Sequence, residues 1–306
     1  MADPIPAPGA TPTPAATAEG RPLAGIGWMV ATGLCFIAVT GIVKWSAQDL
    51  PAAEAAFLRY VLGLAFLIPV LRGVRDDWPR GRELGLFAGR GLAHALAVIL
   101  WFYAMTRLPV AEVTAMNYLA PVYVTLGAAV FLRERLAWRR LAAIGVAFAG
   151  MLVILRPGFR AVEAGHLAML GAGLLFGASY LFAKSLSGRH SAGVVVAQLS
   201  IWVTLGLAPF ALAAWRTPTL AEVAWMGAVA CFATLGHWTM TRAFAAAPVS
   251  VTQPVTFLQL VWAVLLGWAV FAEAPDGWVI LGGSIIVAAV TALAWREAVL
   301  RRMRAA

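Results

Sequence analysis

"RGLAHALAVILWFYAMTR", residues Arg90 to Arg107, is apolar over most of its length yet carries an arginine, a histidine and an indole. A helix of this length crosses a hydrocarbon core of about 30 Å. Lipid rejects a guanidinium or an imidazole at such depth, so these groups must face protein or a path through it. Residues four, seven and eleven apart share a helix face. That spacing aligns Arg90, His94, Ala97 and Trp101, with Tyr103 pointing about opposite Trp101.

Outward from this stretch, the rest of the chain has the same character. Of its 306 residues 62% are hydrophobic and 12% charged, too few polar groups to cover a water-soluble surface. Ten apolar runs recur, with most charges in the breaks between them: roughly 23–43, 53–71, 83–105, 112–132, 139–156, 164–184, 194–215, 220–244, 250–272 and 277–295. They are continuous and rich in Leu, Ala and Gly, without the alternation that barrel strands need. An all-α polytopic membrane protein with ten transmembrane helices is expected. Residues 1–22 are rich in Pro, Ala and Thr and read as a disordered cytoplasmic tail; residues 296–306 read as a basic one. Cys35 and Cys231 both fall inside spans, as small buried hydrophobes and not a disulfide framework.

The net charge of +9 is not a nucleic-acid signature, because its distribution follows the membrane. The N-terminal side and every second connection hold 16 Lys and Arg; the opposite side holds 5, Lys44, Arg107, Arg156, Arg160 and Arg216. Arg59 and Arg90 lie within spans. The positive-inside rule therefore places both termini in the cytoplasm.

The chain also repeats. A shift of 140 residues sets Gly25 on Gly165, Gly33 on Gly173, Phe36 on Phe176, Lys44 on Lys184 and Pro69 on Pro209. A shift of 139 sets Pro109 on Pro248, Val110 on Val249, Leu119 on Leu258 and Glu134 on Glu273. Each unit, 23–156 and 164–295, holds five spans. Five is odd, so the second copy enters from the other side, and two inverted five-helix repeats follow. Secondary transporters use this architecture to expose a midplane site alternately to each side.

"AAFLRYVLGLAFLIPV" and "AMNYLAPVYVTLGAAVFLRERLAWRRLAAIGVAFAGMLVI" resemble the first EamA-type unit of the drug/metabolite transporter superfamily. The resemblance is carried by Arg59 with Tyr60, by Pro121 and by Glu134. "VTQPVTFLQLVWAVLLGWAVFAEAPDGWVILGGSIIVAAV" is similar to the second unit, with Glu273 in the matching place. The second unit departs from the pattern, with Gln198-Leu199-Ser200 where Arg-aromatic would stand. The resemblance implies a ten-helix metabolite exporter of a bacterial inner membrane, most similar to aromatic amino-acid exporters.

For the path itself, the candidate substrate-binding residues are His94, Trp101, Asn117, Tyr118, Tyr180, His237, Trp238, Thr241, Thr256 and Gln259. His237 aligns with Val98, one turn from His94, so both halves place an imidazole on about the same face; Thr241 continues that face and Trp238 borders it. Thr114, Tyr118, Pro121 and Thr125 form a stripe on the fourth span, with Asn117 beside it. Thr252, Thr256, Gln259 and Ala263 form another on the ninth, and Thr40 and Tyr180 align on the first and sixth. Bland readings stand beside these. Arg90 can snorkel toward the nearer interface, His94 can serve as an inter-helix hydrogen bond, and Trp101 can sit in an interfacial belt. Pro69, Pro121, Pro209 and Pro254 read as kinks, either hinges or static curvature. Glu134 and Glu273 read as groups that cap or balance the helix that follows each.

An aromatic, nearly neutral lining suits aromatic or other neutral amino acids; lipophilic cations are the alternative, and a non-transporting receptor a third. The carboxylates sit near span ends, which favours facilitated flux over obligatory proton coupling. Four histidines with no His-x-x-x-His spacing, no Walker-type phosphate loop and no arguable Ser-His-carboxylate set point away from an enzyme, a metal or a cofactor. The expected partners are a small-molecule solute and the lipid bilayer; nothing in the sequence calls for an obligatory protein partner.

Overall fold

The computed structural model describes residues 22–73, 78–131, 138–159, 161–186, 190, 192–247, 252 and 255–305. The expected N-terminal tail thus lies outside the described residues except for Pro22, and Glu134, Gln253 and Pro254 lie outside them too.

The described residues fold into eleven helices: α1 Pro22–Ser46, α2 Ala52–Gly73, α3 Arg82–Met105, α4 Val110–Asn117, α5 Ala120–Phe131, α6 Trp138–Leu155, α7 Ala164–Leu186, α8 Ala192–Ala213, α9 Leu220–Ala246, α10 Leu258–Phe271 and α11 Gly277–Ala305. Five segments are long and apolar enough to cross a membrane: Leu23–Ser46, Arg82–Met105, Ala164–Ala183, Val194–Ala213 and Leu220–Met240. The result is an all-α polytopic bundle.

The fourth run is not one helix. Pro121 has no N–H to give the carbonyl of Asn117, and the residue before a proline is pushed away from helical geometry. The chain answers with tighter bonds from Tyr118 N to Ala115 O, 3.2 Å, and from Leu119 N to Met116 O, 3.1 Å, and α4 ends there. A second break falls at Phe257, three residues after Pro254, where Leu260 N bonds Phe257 O at 3.1 Å. The last helix runs on past the tenth apolar run to Ala305, so the basic residues expected as a tail lie in its final turns.

Packing is mostly between the two halves. The most extensive contacts are α1 on α9, α3 on α7 and α6 on α11, followed by α2 on α8 and α3 on α8; α5 on α7, α2 on α9, α1 on α10 and α4 on α10 complete the principal set. Apart from α4 on α10, exchanging each helix for its counterpart in the other half turns this set into itself. Thus α1 on α9 becomes α7 on α3, α3 on α8 becomes α9 on α2, and α5 on α7 becomes α10 on α1. Small residues permit the closest crossings, since packing in lipid depends on backbone approach. A Cβ on Gly150 would lie 2.7 Å from the Gly282 carbonyl oxygen, and one on Gly282 would lie 2.5 Å from the Gly150 carbonyl oxygen.

One end of the bundle is tied across the halves by charge. Lys44 pairs with Glu273 at 2.8 Å and donates to the Leu108 carbonyl; the second Glu273 oxygen accepts from Val110 N at 2.9 Å. Glu273 therefore caps α4 of the other half, not the helix that follows it. Arg156 pairs with Asp276, and Glu54 accepts from Arg216 N at 3.0 Å. His166 accepts from Glu163 N at Nδ1, 3.0 Å, which leaves Nε2 to donate to Glu112 at 2.8 Å, with both side chains almost fully buried. Arg156 and Ala272 hold positive φ here, 46° and 53°, a conformation that costs a non-glycine residue about 1 kcal/mol.

Candidate functional site

A cavity of about 260 Å³ lies between the halves, near the two helix breaks. Its walls are Thr32, Gly33, Phe36 and Val39 of α1, Arg59 and Tyr60 of α2, His94, Val98 and Trp101 of α3, Phe176 and Tyr180 of α7, and Ala233, His237 and Met240 of α9. Met29, Asn117, Ala120, Thr256 and Gln259 complete it, the last four at or beside the breaks. A groove between α10 and α11, about 370 Å³, is lined almost wholly by aliphatic side chains such as Val261, Leu265 and Val287, the pattern of a lipid-facing surface.

The broken helices bring polar backbone and side chains to a depth where a continuous helix would keep its carbonyls occupied. The breaks also touch one another. The Tyr118 hydroxyl donates to the Thr256 carbonyl at 3.3 Å, and the Tyr118 and Phe257 rings pack edge to face with centroids 5.4 Å apart. These two residues are repeat counterparts. Removing the hydroxyl in Tyr118→Phe is expected to lower stability by about 1 kcal/mol, the net worth of one such bond. Thermal unfolding in detergent checks this, and an unchanged midpoint would show that the bond does not hold the breaks together.

The aromatic wall has the same exchange relation. The His94 ring packs edge-on to Phe176 at 5.0 Å and Tyr60 at 6.4 Å, and His237 packs edge-on to Phe36 at 5.3 Å. Phe36 and Phe176 align in the repeat, so each imidazole leans on the other half's phenylalanine. Trp101 extends the first wall, 6.1 Å from Phe176. His94 also shares a 3.3 Å hydrogen bond with Ser179, so its inter-helix and cavity-lining readings both hold geometrically.

Of the ten residues singled out from sequence, seven stand on the cavity: His94, Trp101, Asn117, Tyr180, His237, Thr256 and Gln259. Tyr118 stands behind them, bridging the breaks. Trp238 points away; it is 48% exposed and packs on Trp28, with Arg242 over its ring. Thr241 lies on α9, but its side chain is outside the described residues. Arg90 is buried off the cavity and donates to the Val195 carbonyl at 3.0 Å, a structural anchor between α3 and α8. The threonine stripes are only partly a lining. Thr40, Thr114 and Thr125 each donate to the carbonyl four residues back, which satisfies the hydroxyl within its own helix.

Sequence reasoning left Arg59, Tyr60, Phe36 and Phe176 out of the site. The phenylalanines were visible as a repeat pair, and Arg59 with Tyr60 as a motif, but neither signal says which way a side chain points. Among the described residues no cluster of three or more His, Cys, Asp or Glu is placed to hold a metal ion.

Comparison with known proteins bears on the same architecture. A riboflavin transporter of Rhizobium johnstonii is 31% identical over 280 residues, 90% of this chain and 93% of that one. A pseudopaline exporter, CntI, of Pseudomonas aeruginosa is 28% identical over 88% of this chain and 95% of its own. An S-adenosylmethionine uptake transporter of Rickettsia bellii is 24% identical over 89% and 94%. These relatives do not carry the finer resemblance to aromatic amino-acid exporters. A solved crystal structure matches with a TM-score of 0.57 at 19% identity, covering 88% of this chain and 94% of that one, and speaks for the fold alone. The model of the EamA-like transporter family matches twice, at residues 23–156 and 163–295, and with nearly every helix inside those two matches the chain belongs to that family.

Proposed function

We propose that this chain is an alternating-access transporter whose two inverted five-helix repeats, 23–156 and 164–295, rock about the central cavity and release small amphipathic, ring-bearing metabolites from the cell. Aromatic or other neutral amino acids are the first candidates. The observation that carries the reading is the cavity itself: it sits between the halves and takes equivalent aromatic and imidazole groups from each, while pairs at the Lys44 end join one half to the other. A rocking motion has to break and remake such pairs, whereas a receptor gains nothing from them. The surplus of Lys and Arg at the opposite end supports an orientation with both termini in the cytoplasm and the Lys44 end outside a bacterial inner membrane. The cavity volume lies just below the usual range for drug-sized ligands, about 300–1,000 Å³, and suits a solute of amino-acid size.

A second reading is favoured by the riboflavin transporters among the relatives, in which a flat heteroaromatic ring replaces the amino-acid side chain. Counterflow in liposomes separates them, with labelled aromatic amino acids, riboflavin and a quaternary ammonium dye tested side by side. Exchange of an amino acid is expected; exchange of the dye alone would overturn the assignment.

Flux is facilitated, without obligatory proton coupling, because the cavity carries no carboxylate among the described residues. His94→Ala is accordingly expected to keep downhill exchange. Uphill transport driven by a pH gradient and lost in that variant would refute the uncoupled scheme.

A further inference from the structure

We infer that Arg59 gives the cavity an anion-binding subsite, so that the solute presents a carboxylate or a phosphate to α2 while its ring lies against the Phe176 and Trp101 wall. This deepens the transport reading and rests on it.

Among the described residues, three arginines within or beside the spans have oxygen partners. Arg90 donates to the Val195 carbonyl, Arg156 meets Asp276 and Arg216 meets Glu222. Arg59 forms no described ion pair or hydrogen bond. Its guanidinium lies over its neighbour's ring, 4.1 Å from the Tyr60 centroid, and its Nε is shielded from solvent with no acceptor. The Trp101 indole N–H lines the same cavity and is likewise shielded without an acceptor. Two buried donors without acceptors are costly to a fold, and one solute bearing an acceptor group would satisfy both.

Charge makes that acceptor an anion. Among the described residues no Asp or Glu lines the cavity, so the positive charge of Arg59 is not neutralised from within the wall. A planar guanidinium fork matches carboxylate and phosphate geometry, and the mostly apolar wall strengthens the pairing.

The repeat argues against a purely architectural role. Leu199 stands at the repeat position of Arg59, and the neighbouring Gln198 is buried, with its side-chain carbonyl accepting from the Trp202 indole at 3.0 Å. The fold is built twice, but the cation once. The site is therefore one-sided, with its charge on the first half.

The test uses matched pairs in proteoliposomes: tryptophan against tryptamine for a carboxylate, and riboflavin 5′-phosphate against riboflavin for a phosphate. In the parent protein the member of one pair that bears the carboxylate or phosphate is expected to exchange about tenfold faster than its partner, the ratio one charge-assisted hydrogen bond supports. Arg59→Gln should bring that ratio close to unity while the member without the carboxylate or phosphate still exchanges, and Arg59→Lys should keep part of the preference. Equal exchange within both pairs in the parent, or an unchanged ratio in Arg59→Gln, overturns the subsite and leaves transport standing. If no solute exchanges, the transport reading falls, and thermal stabilisation of the detergent-purified protein by tryptophan against tryptophan amide decides the subsite. Stabilisation by the acid alone, lost in Arg59→Gln, keeps it; equal or absent stabilisation sinks it.

Discussion

Replacing Glu273 by alanine should unseal the Lys44 end of the bundle. One carboxylate there holds the Lys44 ammonium at 2.8 Å and the first N–H of α4 at 2.9 Å, so its removal strands a cation and a helix end at once. Both side chains are mostly buried, at 14% and 17% exposure. Breaking a fully buried pair costs about 3–5 kcal/mol; the residual solvent access here puts the expected loss nearer the lower end, about 3 kcal/mol. Glu273→Gln keeps an acceptor for Val110 N and should fall between the parent and the alanine variant. Access is the direct readout. With Cys35 and Cys231 replaced by alanine and a cysteine introduced by Asn117→Cys on the cavity wall, a water-soluble maleimide added from the Lys44 side should label Glu273→Ala much faster than the parent. Equal labelling would mean that the ion pair decorates a seal made by something else.

Gly91→Ala should be the most damaging methyl that can be added to α3. A Cβ there would lie 2.2 Å from Trp202 Cβ and 2.9 Å from the Trp202 carbonyl carbon, too close for a rotamer change to relieve. The two helices must separate, taking with them the neighbouring hydrogen bond from Arg90 to Val195. Overpacking usually costs about 1–3 kcal/mol, and a clash with backbone belongs at the upper end of that range. Gly85→Ala on the same helix is the control. Its Cβ would meet nothing within 4 Å, and alanine is favoured over glycine in a helix by about 1 kcal/mol. Opposite shifts in the detergent unfolding midpoint are expected from the two substitutions. A Gly91→Ala protein as stable as the parent would show that α3 and α8 have room between them.

The spans were legible because lipid imposes one strong rule, that long apolar runs become helices. The helix breaks were only half legible. Pro121 announced an interruption, but whether a proline bends a helix or divides it depends on what receives the freed carbonyl, and that is a tertiary matter. His94 and Trp101 could be placed together by helical spacing, and His237 opposite them by the repeat. Trp238 stands off the cavity because an indole one residue from an imidazole points about 100° away, toward Trp28. Arg59 was read as a family motif and not as a wall residue, since spacing cannot tell a cation with a carbonyl partner, as Arg90 has, from one without.

The exchange relation between the halves also bears on the energetics of switching. If the halves trade roles when the protein turns over, the repeat in the sequence sets Lys184 and Glu134 at the positions of Lys44 and Glu273, the pair that joins the halves at one end. Two conformations related in this way would be degenerate if the repeat were perfect. The resting bias must then come from the positions where the copies differ, such as Arg59 against Leu199 or the almost fully buried His166–Glu112 pair. A shift of about 1.4 kcal/mol at any of these changes the ratio of the two populations tenfold. In that scheme divergence between the copies, more than the copies themselves, would set which side of the membrane the empty carrier faces.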